Sequence, residues 1–490
     1  MRRFILGLDE GTTSLRSFLY DVDTHKIVDK EGRNFKQFYP KSGWVEQDAE
    51  EIFRKILQTS KIVLKRNNVS KEELLGIGIT NQRETVVAWD RKTGKPICPA
   101  IVWQCRRTTN MIKSMPQVTK QKIKEKTGLI ANPYFSASKM KWIMENVKEA
   151  RTLAKKNELC FGTIDSFLAF RLCGNHVTDT TNASRTCLMN IQTLEWDDEL
   201  LKIFKIPKNS LPKILPCDAD FGVSKKLLGS HIVGMIGDQQ SSMIGQGAIE
   251  IGNSKVTFGT GGFILTNINS LQSVPNLLTT VARTLGGKTE YAIEGSIYSA
   301  CSALNWLGKM KMFDDVSETS KMASSLKDNE GVYFVPAFTG LGAPYWKDDV
   351  RAEIVGLTFD TTPKQIVRAC LESMAYNTKA IVDEMKLSGQ RLRKISVDGG
   401  ASKNDFLLQF LADMLDHEVV KSVESEATVM GAIYVAMLSL GLVDKKQIKE
   451  LTQSNKIFAP KMTDGERKRL YDGWKRAVKL LKGEENGRGN

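Results

Sequence analysis

The chain has 490 residues, of which 41% are hydrophobic and 26% charged, a composition typical of a globular protein too long for one hydrophobic core. Its formal net charge of +14 is compatible with nucleic acid, a membrane surface or an anionic small substrate as partner. The basic residues are scattered, however, and the densest run, at 465–482, has helical spacing, so a solvated helix face is favoured there over a nucleic-acid site.

The cysteines and histidines give no sign of a metal centre. The eight cysteines are far apart and form no C-x-x-C pair, and the four histidines lie near neither one another nor a cysteine cluster. This spacing argues against a zinc site and a disulfide framework and fits a reducing compartment. The N-terminal apolar run ends at Asp9, and no stretch approaches the roughly 18 apolar residues of a membrane helix. We therefore expect a cytoplasmic protein without a membrane segment.

Two similar hairpins are predicted, one in each half of the chain. LGLDEGTTSLRSFLYD at 6–21 and KVTFGTGGFILTNI at 255–268 both have strand-like runs on either side of a Gly/Thr turn. Their separation indicates two domains of one design, 1–248 and 249–490. A chance match of short glycine-rich turns is the alternative.

Strands and helices alternate along the rest of the chain. LLGIGITNQ at 74–82 predicts a buried strand, and the spacing at 138–151 predicts one amphipathic helix. A long helix is predicted at 361–389, where Thr362 and Gln365 form a capping box around Pro363. KISVDGG then predicts a strand before a helix at 402–416, and the final residues 483–490 read as disordered. This alternation indicates an α/β architecture.

The turns of both hairpins suit polyphosphate. Gly11 lets the backbone turn sharply, and the hydroxyl-bearing residues 12–14 supply small donors beside Asp9, a carboxylate that can hold hydrated Mg²⁺. Residues 260–262 can grip the same polyphosphate from the opposite side. Neither turn is a Walker A loop or a dinucleotide fingerprint, and a plain hairpin with a hydroxyl-rich loop explains either one taken alone.

These features together resemble a known superfamily. The two hairpins and VDGGASKND at 397–405 are similar to the ATPase superfamily of actin, hexokinase and the heat-shock chaperones. YFSASKMKWIMEN at 134–146 and AEIVGLTFDTTPKQIVRACLE at 352–372 resemble the signatures of the FGGY carbohydrate kinases. Further motifs, over nearly the full length, resemble the glycerol-phosphorylating branch: DEGTTS (9–14), GWVEQD (43–48), ITNQRET (79–85), AIVWQCRR (100–107), NPYFS (132–136), TDTTNASRT (178–186), GDQQ (237–240), VPAFTGLGAPYW (335–346) and DGGASKN (398–404).

The resemblance implies a fold and a reaction. The fold is α/β, with two actin-like (ribonuclease H-like) ATPase domains separated by a cleft. The N-terminal domain, 1–248, is expected to bind glycerol and phosphate, and the C-terminal domain, 249–490, the nucleotide. The implied reaction is ATP-dependent phosphorylation of glycerol to sn-glycerol 3-phosphate, with ATP and Mg²⁺ as cofactors.

Asp238 follows the apolar run HIVGMIG and is the carboxylate best placed to take the proton of an alcohol. From the residues alone, an N-cap of the following helix explains it equally well. Arg83 and Glu84 form a donor–acceptor pair that suits neighbouring hydroxyls, although such a pair at a strand end is more often a surface ion pair. The resemblance implies that the polyol is bound by Arg83, Glu84, Trp103, Tyr134, Asp238, Gln239 and Phe263. Trp103 and Phe263 would be its aromatic walls, with a core position for Trp103 as the alternative.

On the nucleotide side the resemblance implies phosphate contacts, adenosine contacts and a metal ligand: Thr12, Thr13, Ser14, Arg16 and Thr260; Gly400 and Asn404; and Asp9. Cys301 and Asn305 occupy nucleotide-binding positions where the family usually has glycine and glutamine. We expect these departures to weaken or alter nucleotide binding. Glu10 replaces a common glutamine and is expected to add a negative charge near the phosphates.

Three other functions stay open at this point. The nearest is an FGGY kinase for a pentulose or a tetritol, against which Arg83, Glu84 and Trp103 favour glycerol. The second is a non-catalytic ATP-binding member, which the intact Asp9 and Asp238 argue against. The third, a nucleic-acid binder, rests on the basic charge alone. Dimers or tetramers are common in the family, so a homo-oligomer is open, and the sequence predicts neither effectors nor the physiological direction of the reaction.

Overall fold

The computed structural model describes residues 2–347, 349–422, 426–454 and 456–483. The strands of the first half are β1 (Phe4–Glu10), β2 (Ser14–Asp21), β3 (Lys26–Asn34), β4 (Gln37–Phe38), β5 (Glu46–Gln47), β6 (Leu74–Asn81), β7 (Val87–Asp90), β8 (Ala100–Ile101), β9 (Leu159–Gly162), β10 (Val177–Asp179), β11 (Met189–Asn190), β12 (Glu195–Trp196), β13 (Lys213–Leu215), β14 (Gly222–Ser224) and β15 (Ser230–Gly237). Those of the second half are β16 (Asn253–Phe258), β17 (Gly262–Ile268), β18 (Leu278–Leu285), β19 (Lys288–Ile297), β20 (Tyr333–Val335), β21 (Glu353–Val355), β22 (Lys394–Asp398), β23 (Val419–Lys421) and β24 (Ile457–Phe458).

Helices alternate with these strands. In the first half they are α1 (Ala49–Arg66), α2 (Thr109–Lys113), α3 (Gln117–Thr127), α4 (Ser136–Asn146), α5 (Lys148–Lys155), α6 (Ile164–Cys173), α7 (Thr180–Ala183), α8 (Asp198–Phe204) and α9 (Asp238–Gly245). In the second half they are α10 (Cys301–Lys309), α11 (Glu318–Ser324), α12 (Pro363–Leu387), α13 (Asp405–Leu415), α14 (Ala427–Ser439), α15 (Lys445–Leu451) and α16 (Asp464–Leu481). Short 3₁₀ turns lie at Lys208–Ser210 and Gly400–Lys403. No helix among the described residues is long and apolar enough to cross a membrane.

The two large sheets share one strand arrangement. In the first, β3, β2 and β1 form an antiparallel meander, and β6 and β15 continue it in parallel with β1. In the second, β19, β17 and β16 form a similar antiparallel run, with β18 inserted in the chain before β19 and lying at the sheet edge, and β22 and β23 follow in parallel with β16. The predicted hairpins are β1–β2 and β16–β17. The expected α/β fold with two domains of one design is therefore confirmed.

The first sheet is covered on both faces because its buried strands carry apolar side chains on alternate sides. Leu6 and Leu8 pack with Ile52 and Ile56 of α1, and with residues of α6, in one core. Ile5, on the opposite side of β1, belongs to a second core made largely by α14. Thus a helix from the second half of the chain covers a face of the sheet built by the first half.

Two helices fill the space between the sheets. α14 packs on β1, β6 and β15, and it lies against α9, which contacts β16 and β17 of the second sheet. The two helices approach closely: a Cβ added at Gly431 of α14 would lie 1.8 Å from the carbonyl oxygen of Ser241 in α9. The division at residue 248 stays a prediction, and the packing of α14 shows that the hydrophobic cores do not divide at that point of the chain.

The local predictions had mixed outcomes. The capping box of α12 is present as expected, with Thr362 and Gln365 bonded to each other's backbone. The single helix predicted at 138–151 is wrong: the backbone is extended at Val147, which ends α4 and precedes α5. The helix predicted from residue 402 begins only at Asp405, after the 3₁₀ turn. The basic run at 465–482 is the amphipathic helix α16. The disorder expected for 483–490 lies, except for Gly483, outside the described residues.

Candidate active site

The carboxyl ends of the parallel strands bring the predicted residues together. Glu10 of β1 and Gly237 of β15 both pair with Asn81 of β6, so the turn after β1, the segment after β6 and the start of α9 share one edge. In the second sheet, Thr257 of β16 pairs with Asp398 of β22, which brings the ends of those strands together as well. Ligands of open α/β sheets bind at such edges.

A cavity of about 380 Å³ lies there, lined by Thr12, Thr13, Gln37, Tyr39, Arg83, Glu84, Trp103, Gln104, Tyr134, Asp238, Gln239, Thr260, Gly261 and Phe263. The lining includes every residue that the sequence predicted to bind the polyol, together with three of the predicted phosphate-binding threonines. Gln37, Tyr39 and Gln104 were not predicted, because nothing in their local sequence distinguishes them from surface polar residues.

Asp238 is the first residue of α9, and the cap position before it is Gly237. Its Oδ1 accepts a hydrogen bond from the amide of Gln239 at 2.7 Å and lies 3.2 Å from Nε of Arg83. The alternative interpretation as an N-cap is therefore not supported. The carboxylate is held at the cavity wall with 27% of its side chain exposed, which leaves it accessible to a ligand.

Arg83 and Glu84 are buried rather than exposed. Each is 2% exposed, so the alternative of a surface ion pair is wrong. Arg83 donates from Nη1 and Nη2 to the two oxygens of Glu294 at 2.8 and 3.0 Å, and from Nη1 to Gln240 at 3.1 Å. The backbone at Glu84 has a φ of +61°, and the amide of Thr85 donates to the carbonyl of Arg83 at 2.7 Å. This is a tight backbone turn that residues other than glycine rarely adopt.

Glu294 and Arg185 complete this charged cluster, and sequence reasoning missed both. Arg185 donates from Nε to Glu84 at 2.7 Å and from Nη2 to Glu294 at 3.0 Å. Burial opposes the charge of Glu294, but the attraction of Arg185 and Arg83 outweighs it and lowers the pKa of Glu294 to about 2. Burial instead raises the pKa of Glu84, in spite of the same two cations. The cluster joins residues of both halves of the chain.

Aromatic rings form one wall of the cavity. The Trp103 ring lies edge-on to Tyr134 and Phe263, with centroids 5.5 and 6.4 Å away. Its Nε1 donates to the hydroxyl of Thr12 at 3.1 Å, so the ring is tied to the first hairpin turn. Trp103 is only partly buried and lines the cavity, which argues against a purely core position.

The second hairpin turn meets the start of α10. The amides of Ala300 and Cys301 donate to the carbonyls of Thr260 and Gly259, both at 3.0 Å. The Cys301 thiol points to the carbonyl of Phe258 at 3.4 Å. Gly399, with φ of +88°, packs on the same residue, since an added Cβ would lie 2.4 Å from the Phe258 oxygen. This close approach brings Cys301 near the glycine pair.

The remaining residues that were predicted to bind the nucleotide differ in their exposure. Gly400 and Asn305 are exposed, with Asn305 one helical turn after Cys301 on the same face of α10. Asn404 is buried: its side chain accepts from the amide of Leu407 as the cap of α13 and donates to Thr319 at 3.1 Å. Its amide is therefore committed to holding α13.

The first hairpin turn is held from within. The amide of Gly11 donates to the carbonyl of Ser14 at 2.9 Å, and Gln47 donates to the carbonyl of Thr12 at 2.7 Å. These bonds fix the backbone of the turn. The Thr12 and Thr13 side chains are left lining the cavity.

Arg16 pairs with two carboxylates: it donates to Asp9 Oδ2 at 2.9 Å and to Glu426 at 2.5 Å. Burial raises the pKa of Asp9 to about 6, against the attraction of Arg16. Among the described residues no donor meets Oδ1 of Asp9, so this oxygen is available to a cation. No group of three His, Cys, Asp or Glu side chains that would bind a metal by itself occurs in the described ranges.

The surroundings of Glu10 differ from those that the sequence led us to expect. It is fully buried, one oxygen accepts from Gln82 at 2.9 Å and the other has no partner. Burial raises the pKa of Glu10 well above its ordinary value, which favours the neutral acid. Burial therefore works against the negative charge expected of Glu10 near the phosphates, an expectation that stays a prediction.

Comparison with known proteins relates this geometry to a family. The N-terminal domain of the FGGY family of carbohydrate kinases matches residues 4–245, and its C-terminal domain matches residues 254–440. The chain is 47% identical over 491 residues to a glycerol kinase of Thermococcus kodakarensis, covering 99% of this chain and 98% of the relative.

Solved structures similar to this chain agree with the sequence matches. A Plasmodium falciparum glycerol kinase with ADP superimposes with a TM-score of 0.90 and 37% identity, over 98% of both chains. A gluconate kinase of Lactobacillus acidophilus shares the fold, with a TM-score of 0.88 and 24% identity over 99% of this chain and 98% of that chain. The shared fold, the paired hairpins and the full-length matches lead to one conclusion: the chain belongs to the FGGY family of carbohydrate kinases.

Proposed function

We propose that this protein is a glycerol kinase, which transfers the γ-phosphoryl group of ATP to a terminal hydroxyl of glycerol and releases sn-glycerol 3-phosphate and ADP. The observation that carries the proposal is the cavity that Asp238, Arg83 and Glu84 line together with residues of both hairpin turns, which we expect to bind the phosphates. The 47% identity to a glycerol kinase over nearly the whole chain supports the choice of glycerol among the substrates of the family.

The polar atoms left free at the cavity suit a small triol. Arg83 has five N–H donors. Its hydrogen bonds to Glu294 and Gln240 use three of them and its Nε lies 3.2 Å from Asp238, which leaves one N–H on Nη2 for a ligand. Glu84 receives Arg185 on Oε1 and keeps Oε2 as an acceptor. A hydroxyl both donates and accepts, so this adjacent donor and acceptor can fix two neighbouring hydroxyls of glycerol.

In this proposal Asp238 is the general base. It takes the proton of the reacting hydroxyl as the oxygen bonds to the γ-phosphorus, and the bond from that phosphorus to the bridging oxygen of ADP breaks. The contact with Arg83 Nε at 3.2 Å holds the carboxylate in place. Trp103, Tyr134 and Phe263 cover the carbon chain and limit the access of water, which would otherwise compete as acceptor.

Asp9 fits the role of Mg²⁺ ligand, because one of its oxygens is free and Mg²⁺ commonly binds through one or two carboxylates together with phosphate and water. When bound, Mg²⁺ supplies neutralisation of the polyphosphate charge. The hydroxyls of residues 12–14 and of Thr260 are the donors that would meet the phosphate oxygens. Cys301, Asn305 and Gly400 would lie along the adenosine.

The test follows ADP and glycerol 3-phosphate together, with purified protein, Mg²⁺, ATP and glycerol. Equal amounts of both products are expected. Asp238→Asn should lower kcat by about 10²- to 10⁴-fold while glycerol still binds. Asp198→Asn, a change at a side chain with 79% exposure, is the matched control and should leave the rate unchanged.

Other outcomes would contradict the proposal. ADP without glycerol 3-phosphate would indicate an ATPase or a different acceptor, and a panel of pentuloses and tetritols would then identify the acceptor. Full activity of Asp238→Asn would exclude this carboxylate as the base. Absence of both products would favour a non-catalytic member of the family.

A further inference from the structure

Gln239 lines the cavity next to the proposed base, and its function depends on which end of its amide faces the ligand. An amide presents either a carbonyl oxygen, which accepts, or an NH₂ group, which donates. The two ends are similar in shape, so the neighbours of the side chain decide the orientation. Gln239 lies in the first turn of α9 and is 9% exposed.

The neighbour that decides it is Lys255. This lysine is fully buried on β16, and its ammonium donates to Oε1 of Gln239 and, at 2.9 Å, to the hydroxyl of Thr257. An ammonium has three donors and no acceptor, so the amide oxygen of Gln239 must face the lysine. The NH₂ end is then directed elsewhere. Among the described residues it has no hydrogen-bond partner, so it is the part of the amide left for a ligand.

Lys255 is itself fixed by charges from several elements. The Thr257 hydroxyl that accepts from it donates to Asp398 on β22 at 2.5 Å. Burial lowers the pKa of Lys255 to about 8, while Asp398, Asp238 and Glu294 favour its charged form and Arg83 opposes it. Near neutral pH the side chain is therefore an ammonium, which preserves the direction of the hydrogen bonds.

We propose that Lys255 is a positioning residue, which holds the Gln239 amide with its NH₂ group toward the bound polyol. The hydroxyl of the polyol beside Gln239 must then accept a hydrogen bond from this NH₂ group. The inference rests on the proposed function, since it assigns a donor to the polyol subsite. A lysine that served only to neutralise Asp398 between α9 and the second sheet would affect stability, and would have no selective effect on glycerol.

The experiment is a double-mutant cycle on the full-length enzyme, with glycerol and ATP varied separately. Lys255→Met should raise KM for glycerol by about tenfold, as expected for one well-placed hydrogen bond, with KM for ATP and kcat changed by no more than about threefold. In a Gln239→Ala background, where no amide remains to be oriented, the same change should alter KM for glycerol less than about twofold. Lys394→Met, at a partly buried lysine of β22, is the matched control.

Equal effects of Lys255→Met in both backgrounds, or an equal rise in KM for ATP, would overturn the proposal. Lys255→Leu, which also removes every hydrogen-bond donor from this side chain, carries the same cycle if the Met variant is recovered in poor yield. Loss of folding in both variants would also overturn it, because the lysine would then act on the fold. Failure of the parent enzyme to make glycerol 3-phosphate is a separate result, which contradicts the proposed function itself.

Discussion

Replacing Glu294 by glutamine should destabilise the protein strongly and impair catalysis, although this residue does not line the cavity. Glu294 is fully buried and receives both terminal nitrogens of Arg83 and one of Arg185. The substitution removes one of two negative charges that balance two buried guanidinium groups. Among the described carboxylates, Arg185 then keeps only Glu84. Arg83 keeps only Glu84 and the partly exposed Asp238 of that set, and loses the bidentate partner that fixes its terminal nitrogens.

The size of the effect follows from the pKa of Glu294. A fall from the ordinary value of 4.5 to about 2 corresponds to about 3 kcal/mol in favour of the charged form. Removing one partner of a buried ion pair costs about 3–5 kcal/mol, which agrees. Because the folded-state pKa is lowered, this stabilisation is fully present above about pH 4.5 and is lost as the pH falls toward about 2.

Thermal unfolding and steady-state kinetics test this prediction. At about 2 °C per kcal/mol, Glu294→Gln should lower Tm by about 6 °C or more, and kcat/KM for glycerol should fall at least about tenfold because Arg83 is no longer held. Glu353→Gln, at an exposed glutamate, should change neither. A variant with Tm within about 2 °C of the parent and unchanged kcat/KM would refute the reasoning, since the cluster would then contribute neither stability nor orientation.

Two further predictions concern the residues that depart from the family pattern. Cys301→Gly should lower the dissociation constant for ATP, because the thiol occupies space beside Phe258 and the Gly399 turn; an unchanged constant by calorimetry would contradict this. Glu10→Gln should leave KM for ATP within about twofold between pH 6 and 8, because burial raises the pKa of Glu10 well above its ordinary value and favours the neutral acid, and the hydrogen bond from Gln82 is retained. A clear gain in ATP affinity would mean that Glu10 carries a charge.

The parts of the fold that could be predicted from the sequence are those with local causes. The two hairpins are set by short Gly/Thr turns between strand-forming residues, and α12 by a capping box within four residues. The break between α4 and α5 could not be predicted, because the apolar spacing continues through Val147 and only its extended backbone ends the helix.

The residues of the candidate site likewise fall into two groups: those that could be predicted from local sequence and those that could not. Asp238 follows a buried strand directly, Arg83 and Glu84 come shortly after another, and their motifs resemble those of a family. Glu294 could not be found in this way, because its partner Arg83 is 211 residues away in the chain and only the fold joins them. Lys255 likewise looks like a polar residue of an edge strand until the register places β16 in the middle of a sheet.

The packing of α14 on the first sheet also has a consequence for biosynthesis. Ile5 and Gly78 lie on the face that α14 covers, and a Cβ at Gly78 would come within 2.5 Å of the Ala432 oxygen. That helix begins 190 residues after the end of β15, the last strand of this face, a stretch that takes about 10–40 s to translate at typical ribosomal rates. During that interval the nascent N-terminal half has one bare apolar face, which is the surface that a ribosome-associated chaperone would have to shield until the covering helix emerges.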